Sequence, residues 1–376
     1  MINTEKIFNL LSGEIDLFTG VPDSLLKDLC ACITDNASTG RHIIAANEGA
    51  AVALASGYYL ASGKPAMVYM QNSGIGNAVN PLLSLADPKV YRIPMLIVVG
   101  WRGEPGVKDE PQHVKQGEVT LSLFDAMQIP YIVIDDDETV AQAQFIQLLA
   151  QAKSTSSPQA AIIRKNLFSA YKLKNKPAND YPMSREKALQ TVIDSLTDED
   201  VVVSTTGKLS RELFEYRELK GGGHDKDFLT VGSMGHSMSI ALGVALSKSD
   251  RVVYCLDGDG AVIMQMGAMT SVGASGLNNF RHIVFNNGAH ESVGAQPTVA
   301  FRIDIPQIAK SCGYREAYSV SSITHLEQVM KTFRDIQGPV LLEIKVNLVS
   351  RDDLGRPTRT TLENKEDFMK SLKFHV

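Results

Sequence analysis

The sequence has few cysteines, a single tryptophan and no long uninterrupted apolar run. Its four cysteines are Cys30, Cys32, Cys255 and Cys312, with no C-x-x-C pair and no histidine at metal-binding spacing. This pattern excludes a disulfide-stapled miniprotein and is typical of structural thiols in a reducing compartment. The amino terminus has no apolar run of signal-peptide length, and Gly, Ser and His interrupt the uncharged stretches. We therefore expect a cytoplasmic protein without membrane spans.

An excess of positive charge is also absent. The 37 Lys and Arg residues against 42 Asp and Glu give a net charge of −5, which disfavours a broad nucleic-acid-binding surface. No G-x-G-x-x-G motif opens a strand–helix unit at the start of either half of the chain. A nicotinamide-binding dehydrogenase is therefore disfavoured. The hydrophobic content of 44% and the charged content of 21% are ordinary for a globular protein with a sizeable core.

What the chain does contain is a regular alternation of short apolar runs with segments of helical period. Runs that are apolar throughout and separated by helices predict parallel strands buried on both faces, so the predicted fold class is α/β. The predicted strands are residues 16–21, 42–46, 66–71, 95–100, 131–134 and 160–163, then 201–204, 228–231, 252–256, 282–286 and 340–346.

Residues 171–185 interrupt this alternation. They contain two prolines, several charges and no apolar periodicity, which predicts a linker. The sequence therefore predicts two doubly wound parallel-sheet domains, residues 1–170 and residues 186–376. A single large doubly wound domain stays as the alternative, because the predicted linker is modest.

The most specific motif lies where two predicted strands end. The glycine-flanked Asp259 follows one strand, and Asn286–Asn287 ends the next. Ligands bind at the carboxyl ends of parallel strands, and carboxylate, amide and backbone oxygens suit Mg²⁺. The glycines let the backbone approach a phosphate, and a helix beginning near Ala261 favours an anion. A simple Asp-Gly turn beside an unrelated polar strand end is the alternative.

This GDG–helix–strand–NN arrangement resembles the diphosphate-binding signature of the thiamine-diphosphate-dependent enzymes. The resemblance implies a pyrimidine domain followed by a diphosphate domain, with thiamine diphosphate and Mg²⁺ as cofactors. It implies that Asp259, Asn287 and the backbone carbonyl of Ala289 bind the metal. The residues that it assigns to the cofactor, in loops at the same sheet edge, are Thr206, Gly207, Gly235, His236, Gly258, Gly260, Ala261 and Asn286.

A second element of the resemblance is an acidic residue in the first domain. In that family a glutamate opens an Ala/Gly-rich helix and protonates the aminopyrimidine ring of the cofactor. Here HIIAANEGAAVALASG has Glu48 in this setting. A surface glutamate that stabilises the helix dipole is the alternative. Since GAAVALASG has no polar face, we expect this helix to be buried.

A third element is the turn that contains Met234. It has the form Gly-Ser-x-Gly and precedes the GDG motif, where family members hold the bent cofactor with a bulky apolar side chain. A core methionine is the alternative interpretation. Glu48 and Asp259 are too close in sequence for a third domain between them, so the resemblance points to a compact two-domain branch. That branch holds the phosphonopyruvate and sulfopyruvate decarboxylases, and the fusion of both halves in one chain favours the former.

The resemblance implies nonoxidative decarboxylation of 3-phosphonopyruvate to phosphonoacetaldehyde and CO₂. A substrate with a carboxylate and a phosphonate needs fixed cations and hydrogen-bond donors. The predicted loop 101–117 supplies Arg102 and Lys108. With Gly100 before it, the loop has the sequence GWRGEPGVKDEPQHVKQG. A solvated mixed-charge loop is the alternative. Relatives have substrate contacts where this chain has Asp23 and Ser24.

Two histidines are candidates for protonating the reaction intermediate. They are His113 and His290, because imidazole titrates near neutral pH. The residues do not distinguish between them.

The expected partners are a small 2-oxo acid and further copies of the chain, without nucleic acid or membrane. In the family the cofactor lies between the pyrimidine domain of one subunit and the diphosphate domain of another, which implies a homodimer or a higher homo-oligomer with active sites at subunit interfaces. The alternative functions are a sulfopyruvate decarboxylase, a related 2-oxo acid decarboxylase or carboligase, and a thiamine-diphosphate-binding protein without turnover.

Overall fold

Two compact units make up the structure, a computed structural model that describes residues 1–176 and 179–372. The first unit comprises Met1–Lys176 and His290–Pro297, and the second comprises the described residues of Pro177–Ala289 and Thr298–Val376. Pro177 and Ala178 of the predicted linker, and the last four residues of the predicted second domain, lie outside the described residues. The predicted domain bounds therefore stay a prediction.

The first unit is built on a six-stranded parallel sheet. Its strands are β1 (Leu17–Gly20), β2 (His42–Ile44), β3 (Ala66–Gln71), β4 (Met95–Gly100), β5 (Tyr131–Val133) and β6 (Pro158–Ile163). Their order across the sheet is β2-β1-β3-β4-β6-β5, with every adjacent pair parallel. The helices are α1 (Thr4–Ser12), α2 (Lys27–Asn36), α3 (Glu48–Ser62), α4 (Ile75–Pro81), α5 (Pro111–Met127) and α6 (Glu138–Thr155).

The second unit repeats this architecture. Its main strands are β7 (Val201–Ser204), β8 (Asp227–Leu229), β9 (Val253–Gly258), β10 (Phe280–Asn286), β13 (Glu316–Val320) and β14 (Val340–Lys345), in the order β13-β14-β10-β9-β7-β8. A short pair, β11 (Ala289–His290) and β12 (Gln296–Pro297), follows β10. The helices are α7 (Arg185–Asp194), α8 (Lys208–Leu219), α9 (Ser237–Ser247), α10 (Asp259–Met264), α11 (Ala268–Ser275), α12 (Ile305–Ser311), α13 (Ile323–Phe333) and α14 (Thr361–Ser371).

The central strands are buried on both faces, as their uniformly apolar sequences predict. Along β3, Met67 and Tyr69 pack into one hydrophobic cluster of the first unit, while Val68 and Met70 pack into the other. Strand β10 divides in the same way, with Ile283 and Phe285 on one face of its sheet. The α/β fold class with two doubly wound parallel sheets is confirmed.

Two local expectations need correction. The edge strand β13 was absent from the predicted strands, because its residues do not form an apolar run and all but Val320 are exposed or partly buried. The predicted loop 101–117 is only partly a loop, since helix α5 begins at Pro111. Proline is favoured in the first helical turn, which explains this start. Among the described residues, no helix combines the length and the apolar character needed to cross a membrane.

Candidate functional site

Glu48 is the first residue of helix α3, and its side chain is buried with 5% of its surface exposed. Asn47 caps the helix by accepting a hydrogen bond from the backbone N–H of Ala50 at 2.9 Å. The Glu48 carboxylate accepts a hydrogen bond from Asn77 Nδ2 at 2.8 Å. Gly74 allows this arrangement, because a Cβ atom there would lie 2.4 Å from Glu48 Oε1. The sequence thus predicted the buried acid but not the partner that orients it.

Asp23 follows β1 and is fully buried. Its Oδ1 accepts a hydrogen bond from Gln71 Nε2 at 2.6 Å, and its Oδ2 accepts one from the Leu25 backbone N–H at 3.0 Å. Burial raises the pKa of Asp23 above its usual range, and these hydrogen bonds only partly oppose the shift. Gly100 is needed beside it, since a Cβ atom at that position would lie 2.1 Å from Asp23 Oδ2.

Arg102 lies just after β4 and is tied to its own loop. Its Nε donates to Asp109 Oδ2 at 2.7 Å, a second guanidinium nitrogen contacts the other Asp109 oxygen, and a third donates to Ser24 Oγ at 2.8 Å. Burial alone would raise the pKa of Asp109, but the hydrogen bonds from Arg102 and from the backbone N–H groups of Glu110 and Gly103, together with the Arg102 charge, outweigh it and hold that pKa well below its usual range. The structure thus brings three predicted residues, Asp23, Ser24 and Arg102, together.

The rest of the 101–117 segment packs closely against itself. The Trp101 indole N–H donates to the Gly117 carbonyl at 2.9 Å. Gly103 is in the left-handed region at φ 70°, and a Cβ atom there would lie 1.9 Å from the His113 carbonyl oxygen. His113 lies in the first turn of α5 and is half-buried, whereas Lys108 is exposed. The structure therefore has Lys108 on the loop surface and His113 where the loop contacts the helix.

The predicted cofactor residues of the second unit lie at the carboxyl ends of β7, β8 and β9, except Asn286, which ends β10. After β7, the Thr206 hydroxyl donates to the Val231 carbonyl at 2.9 Å, and Gly207 adopts a φ of 100°. After β8, Met234 is partly buried and His236 is exposed. Gly235 has a φ of 85°, and a Cβ atom there would lie 2.9 Å from the Ala261 carbonyl oxygen. The Met234 turn and the GDG turn are therefore neighbours.

Asp259 begins α10 directly after β9, and its carboxylate is buried with 3% exposed. The Thr298 hydroxyl donates to Asp259 Oδ2 at 2.5 Å, and the backbone N–H groups of Gly260 and Asn287 also donate to this carboxylate. Burial raises the pKa of Asp259 to about 6, and the Thr298 hydrogen bond is the largest opposing contact. The two halves of the predicted motif, Asp259 and Asn287, are thus in direct contact.

The two asparagines after β10 have different surroundings. Asn286 is fully buried, with its Nδ2 donating to Glu343 Oε1 at 2.7 Å and its Oδ1 accepting from the Gly288 N–H at 3.1 Å. Asn287 Oδ1 accepts from the Ala289 N–H at 3.0 Å. Both side chains therefore hold the turn after β10, and the carboxamide oxygen of Asn287 is of the type that Mg²⁺ prefers. The following His290 is neutral at pH 7, because burial lowers its pKa to about 4.

The residues around Asp259 fit a hard divalent cation. The donor set that the motif assigns, Asp259, Asn287 and the Ala289 carbonyl, consists of oxygens only, as Mg²⁺ prefers. The contacts that oppose the raised pKa of Asp259 come from neutral groups. A buried carboxylate surrounded by neutral groups is costly unless a cation compensates its charge.

Two residues of these sites, Asn77 and Thr298, were not predicted from the sequence. Asn77 contacts a carboxylate 29 positions away, and Thr298 contacts one 39 positions away. Both lie in segments that resemble the compact two-domain branch of the family, namely residues 71–85 (QNSGIGNAVNPLLSL) and residues 286–298 (NNGAHESVGAQPT). Those segments were the only signal, and they did not indicate which residue in each makes the contact.

Two family models match this chain. The family model described as "Thiamine pyrophosphate enzyme, N-terminal TPP binding domain" matches residues 4–129. The one described as "Thiamine pyrophosphate enzyme, C-terminal TPP binding domain" matches residues 205–344. Together they cover well over half of the chain.

Relatives match along nearly the whole sequence. The chain is 34% identical to a phosphonopyruvate decarboxylase of Streptomyces viridochromogenes, over 96% of this chain and 93% of that protein. It is 32% identical to a phosphonopyruvate decarboxylase of Streptomyces hygroscopicus, over 95% and 90% of the two chains. It is 29% identical to a sulfopyruvate decarboxylase of Methanosarcina acetivorans, over 89% and 88%. The chain therefore belongs to the thiamine pyrophosphate enzymes, with thiamine diphosphate as its cofactor, in the branch that includes phosphonopyruvate and sulfopyruvate decarboxylases.

Proposed function

We propose that this protein catalyses the nonoxidative decarboxylation of 3-phosphonopyruvate to phosphonoacetaldehyde and CO₂. The observation that carries the proposal is the end-to-end similarity to two phosphonopyruvate decarboxylases. The buried Glu48 of the first unit and the Asp259–Asn287 contact of the second supply the groups that this chemistry needs.

Asp259, Asn287 and the Ala289 carbonyl are the proposed Mg²⁺ ligands, and the metal would neutralise the diphosphate of the cofactor. The proposed cofactor contacts are Thr206, Gly207, Met234, Gly235, His236, Gly258, Gly260, Ala261 and Asn286. Thiamine diphosphate, when bound, supplies a carbon nucleophile and an electron sink for the decarboxylation.

Glu48 is the proposed proton-exchanging group toward the aminopyrimidine ring. Its buried position keeps water away from the carboxyl, and the hydrogen bond from Asn77 restricts the rotation of that carboxyl. An acid fixed in this way loses less freedom when the proton moves, which favours general acid–base catalysis.

Asp23, Ser24, Arg102 and Lys108 are the proposed substrate-binding residues. Because burial raises the pKa of Asp23, this residue binds a proton more readily than an exposed aspartate and can donate a hydrogen bond to an anion. Arg102 holds the Ser24 hydroxyl and contributes positive charge, part of which Asp109 neutralises. Lys108 is exposed and supplies a mobile cation for the phosphonate or the carboxylate.

His113 and His290 are the proposed donors of the proton that completes the aldehyde. Since the pKa of His290 is lowered to about 4, its neutral ring N–H would donate, unless a bound anion raises that pKa. The other proposed donor, His113, is half-buried in the first turn of α5, within the 101–117 segment.

The oligomer is proposed to be a homodimer or a larger homo-oligomer, with each cofactor held by the first unit of one subunit and the second unit of another. Mixing inactive Glu48→Gln with inactive Asp259→Ala chains tests this arrangement. Recovery of activity after subunit exchange is expected, because some mixed sites combine two intact units. Complete absence of recovery, with exchange verified by mass spectrometry, contradicts shared sites.

Sulfopyruvate is the alternative substrate. The single-chain sulfopyruvate decarboxylase of Methanosarcina acetivorans covers both halves of this chain, so fusion of the halves does not distinguish the two substrates. The two phosphonopyruvate decarboxylases are more similar in sequence, and they favour the phosphonate.

The deciding experiment measures CO₂ release from phosphonopyruvate, sulfopyruvate and pyruvate with thiamine diphosphate and Mg²⁺ present. We expect phosphonopyruvate to have the largest kcat/KM. A larger value for sulfopyruvate assigns the enzyme to the alternative, and a larger value for pyruvate rejects both. Added acceptor aldehyde tests for a carboligase through the products formed.

A further inference from the structure

A polar cluster lies inside the second unit, on two strands that precede the turns with the oxygen ligands proposed for Mg²⁺. Cys255 and Asp257 are two positions apart on β9, so their side chains are on the same face of the sheet. His282 of β10 pairs with Cys255 in the parallel register. One potential ligand atom from each of the three lies within 4.8 Å of the other two. All three residues are fully buried.

Two atoms of this cluster lack a hydrogen bond. Within residues 1–176 and 179–372, Asp257 Oδ2 and His282 Nε2 are buried with no hydrogen-bond partner. They lie 3.6 Å apart, which is longer than a hydrogen bond. Two ligands of one tetrahedral zinc ion are separated by a similar distance, roughly 3.3 Å for bonds of about 2.0 Å.

The other atoms of the same side chains are already engaged. His282 Nδ1 contacts the Tyr314 hydroxyl at 3.2 Å, and Asp257 Oδ1 accepts from the Gly258 N–H at 3.1 Å. This is the arrangement of metal ligands, whose second polar atom is held by a neighbouring group that orients the ring or the carboxylate. The free atoms of Asp257 and His282 therefore face each other.

Cys255 and Ser237 complete the cluster. Burial raises the pKa of the Cys255 thiol well above its usual range, so the thiol is neutral unless a cation is present. The Ser237 hydroxyl lies beside this thiol, and it meets no hydrogen-bond partner of normal geometry in the described part of the chain. A divalent ion bound to one thiolate, one carboxylate and one neutral imidazole leaves no net charge in the core, which limits the cost of burial.

We propose that Cys255 Sγ, Asp257 Oδ2 and His282 Nε2 bind a divalent transition-metal ion of the zinc class, with the Ser237 hydroxyl at the fourth position. Binding releases the thiol proton to solvent and forms the metal–sulfur bond, with no change in oxidation state. The sulfur and nitrogen ligands select zinc-class ions, whereas the oxygen set at Asp259 selects Mg²⁺.

The ion would join two strands that both lead into the diphosphate site. Strand β9 continues into Asp259, and β10 continues into Asn287. A metal ion across these strands would hold the two turns in register. The inference stands on the cluster alone and does not depend on the proposed substrate.

Cobalt provides the test, because a thiolate ligand to Co²⁺ produces a near-ultraviolet charge-transfer band that oxygen ligands do not. Full-length protein is produced in zinc-depleted medium supplemented with Co²⁺, passed through chelator-treated buffer and examined by absorption spectroscopy and metal analysis. We expect about one cobalt per chain in this closed site, with the thiolate band and the visible bands of tetrahedral Co²⁺. Protein produced with Zn²⁺ should retain about one zinc.

Three variants assign the band. Cys255→Ser should abolish it, whereas Cys312→Ser, at a partly buried cysteine of the same unit, should keep it. Asp259→Asn should also keep it, which separates this ion from the proposed Mg²⁺ site. A band that survives in Cys255→Ser contradicts the proposal. If Cys255→Ser does not fold, the wild-type protein decides: folded chains with less than about a tenth of an equivalent of metal and no thiolate band overturn the inference and assign a buried water to the cluster.

Discussion

The two units share one topology but differ in how their polar residues are partnered. With the six main strands of each unit numbered along the chain, both sheets have the order 2-1-3-4-6-5. In the first unit, strand three ends at Gln71 and Arg102 follows strand four. In the second unit, Asp259 and Asn287 follow the corresponding strands. The same frame therefore presents different chemistry at equivalent sheet edges.

In the first unit, the charged groups find partners within the protein. Asn77 binds Glu48, Gln71 binds Asp23, and Asp109 binds Arg102 through two oxygens. In the second unit, neutral groups contact Asp259, and Asp257 keeps an oxygen without a hydrogen bond among the described residues. The polar groups at the first edge are thus oriented by partners, in keeping with the proposed proton exchange and anion binding. Neutral groups contact the carboxylate at the second edge, in keeping with the proposed cation binding.

Removal of the Asp259 carboxylate, at the edge of the second sheet, should have the largest effect on cofactor binding and on activity. We expect Asp259→Asn to lose Mg²⁺-dependent binding of thiamine diphosphate and to reduce kcat/KM by about a thousandfold or more, because a metal contributes several kcal/mol of charge stabilisation. Titration calorimetry with thiamine diphosphate, with and without Mg²⁺, measures the binding. Cofactor affinity equal to that of the wild type would show that the second unit does not hold the cation through this residue.

Glu48→Gln, in the first unit, should have the second-largest effect. It should lower the rate of the chemical step without weakening cofactor binding. The amide keeps the shape of the side chain but cannot exchange the proton, so we expect kcat to fall by about 10²–10⁴-fold. Cofactor affinity should stay close to that of the wild type. Steady-state kinetics and calorimetry separate the two effects.

Asn77→Ala provides the matched comparison for Glu48. It removes the hydrogen bond to Glu48 and leaves the carboxyl in place. We expect a fall in kcat of about tenfold, as for the loss of one charge-assisted hydrogen bond, with the KM for substrate little changed. Full activity in Glu48→Gln would contradict proton exchange by Glu48. It would also remove the reason to expect a lower kcat in Asn77→Ala.

Thr298→Val should produce a smaller loss, confined to the second unit. Valine keeps the volume but removes the hydroxyl that donates to Asp259 Oδ2. We expect Mg²⁺ affinity to fall about tenfold, because groups that orient metal ligands typically contribute this much. Thr298→Ser retains the hydroxyl and should bind Mg²⁺ like the wild type. Equal affinities in Val and Ser variants would argue against an orienting hydroxyl.

The smallest expected effect concerns the pH dependence of stability in the first unit. Burial lowers the pKa of His42 to about 4, and its Nε2 contacts the Tyr69 hydroxyl at 2.7 Å. Its unfolded pKa is about 6.5, so the folded state binds fewer protons below that pH. The stability contributed by neutral His42 is therefore complete above about pH 6.5 and is lost as the pH falls toward 4.

Urea unfolding at several pH values measures this slope. We expect His42→Gln to flatten it only in part, because the pKa of His290 is lowered in the same direction. An unchanged slope in His42→Gln would mean that this histidine titrates alike in the folded and unfolded chains.

The site residues that sequence reasoning proposed follow strands or open a helix. Asp259 and Asn287 follow two neighbouring apolar strands, and Glu48 opens α3, so local patterns together with the family resemblance were sufficient to propose them. Asn77, Thr298 and the Asp257–His282 pair were missed, because each contact joins segments that only the folded sheet brings together. Asn286 was assigned to the cofactor from its place in the motif, but its side chain is buried against Glu343.

The sequence by itself determined the α/β class and the parallel strands, and with the family resemblance it predicted the positions of the acid and of the metal-binding motif, because these follow from local apolar periodicity and from short motifs. Only the tertiary structure decided which polar groups have partners among the described residues. The physical reason is the strand order, in which β9 pairs with β7 and β10 pairs with β14. Such pairings bring together side chains that are dozens of positions apart, and no local pattern in the sequence records them.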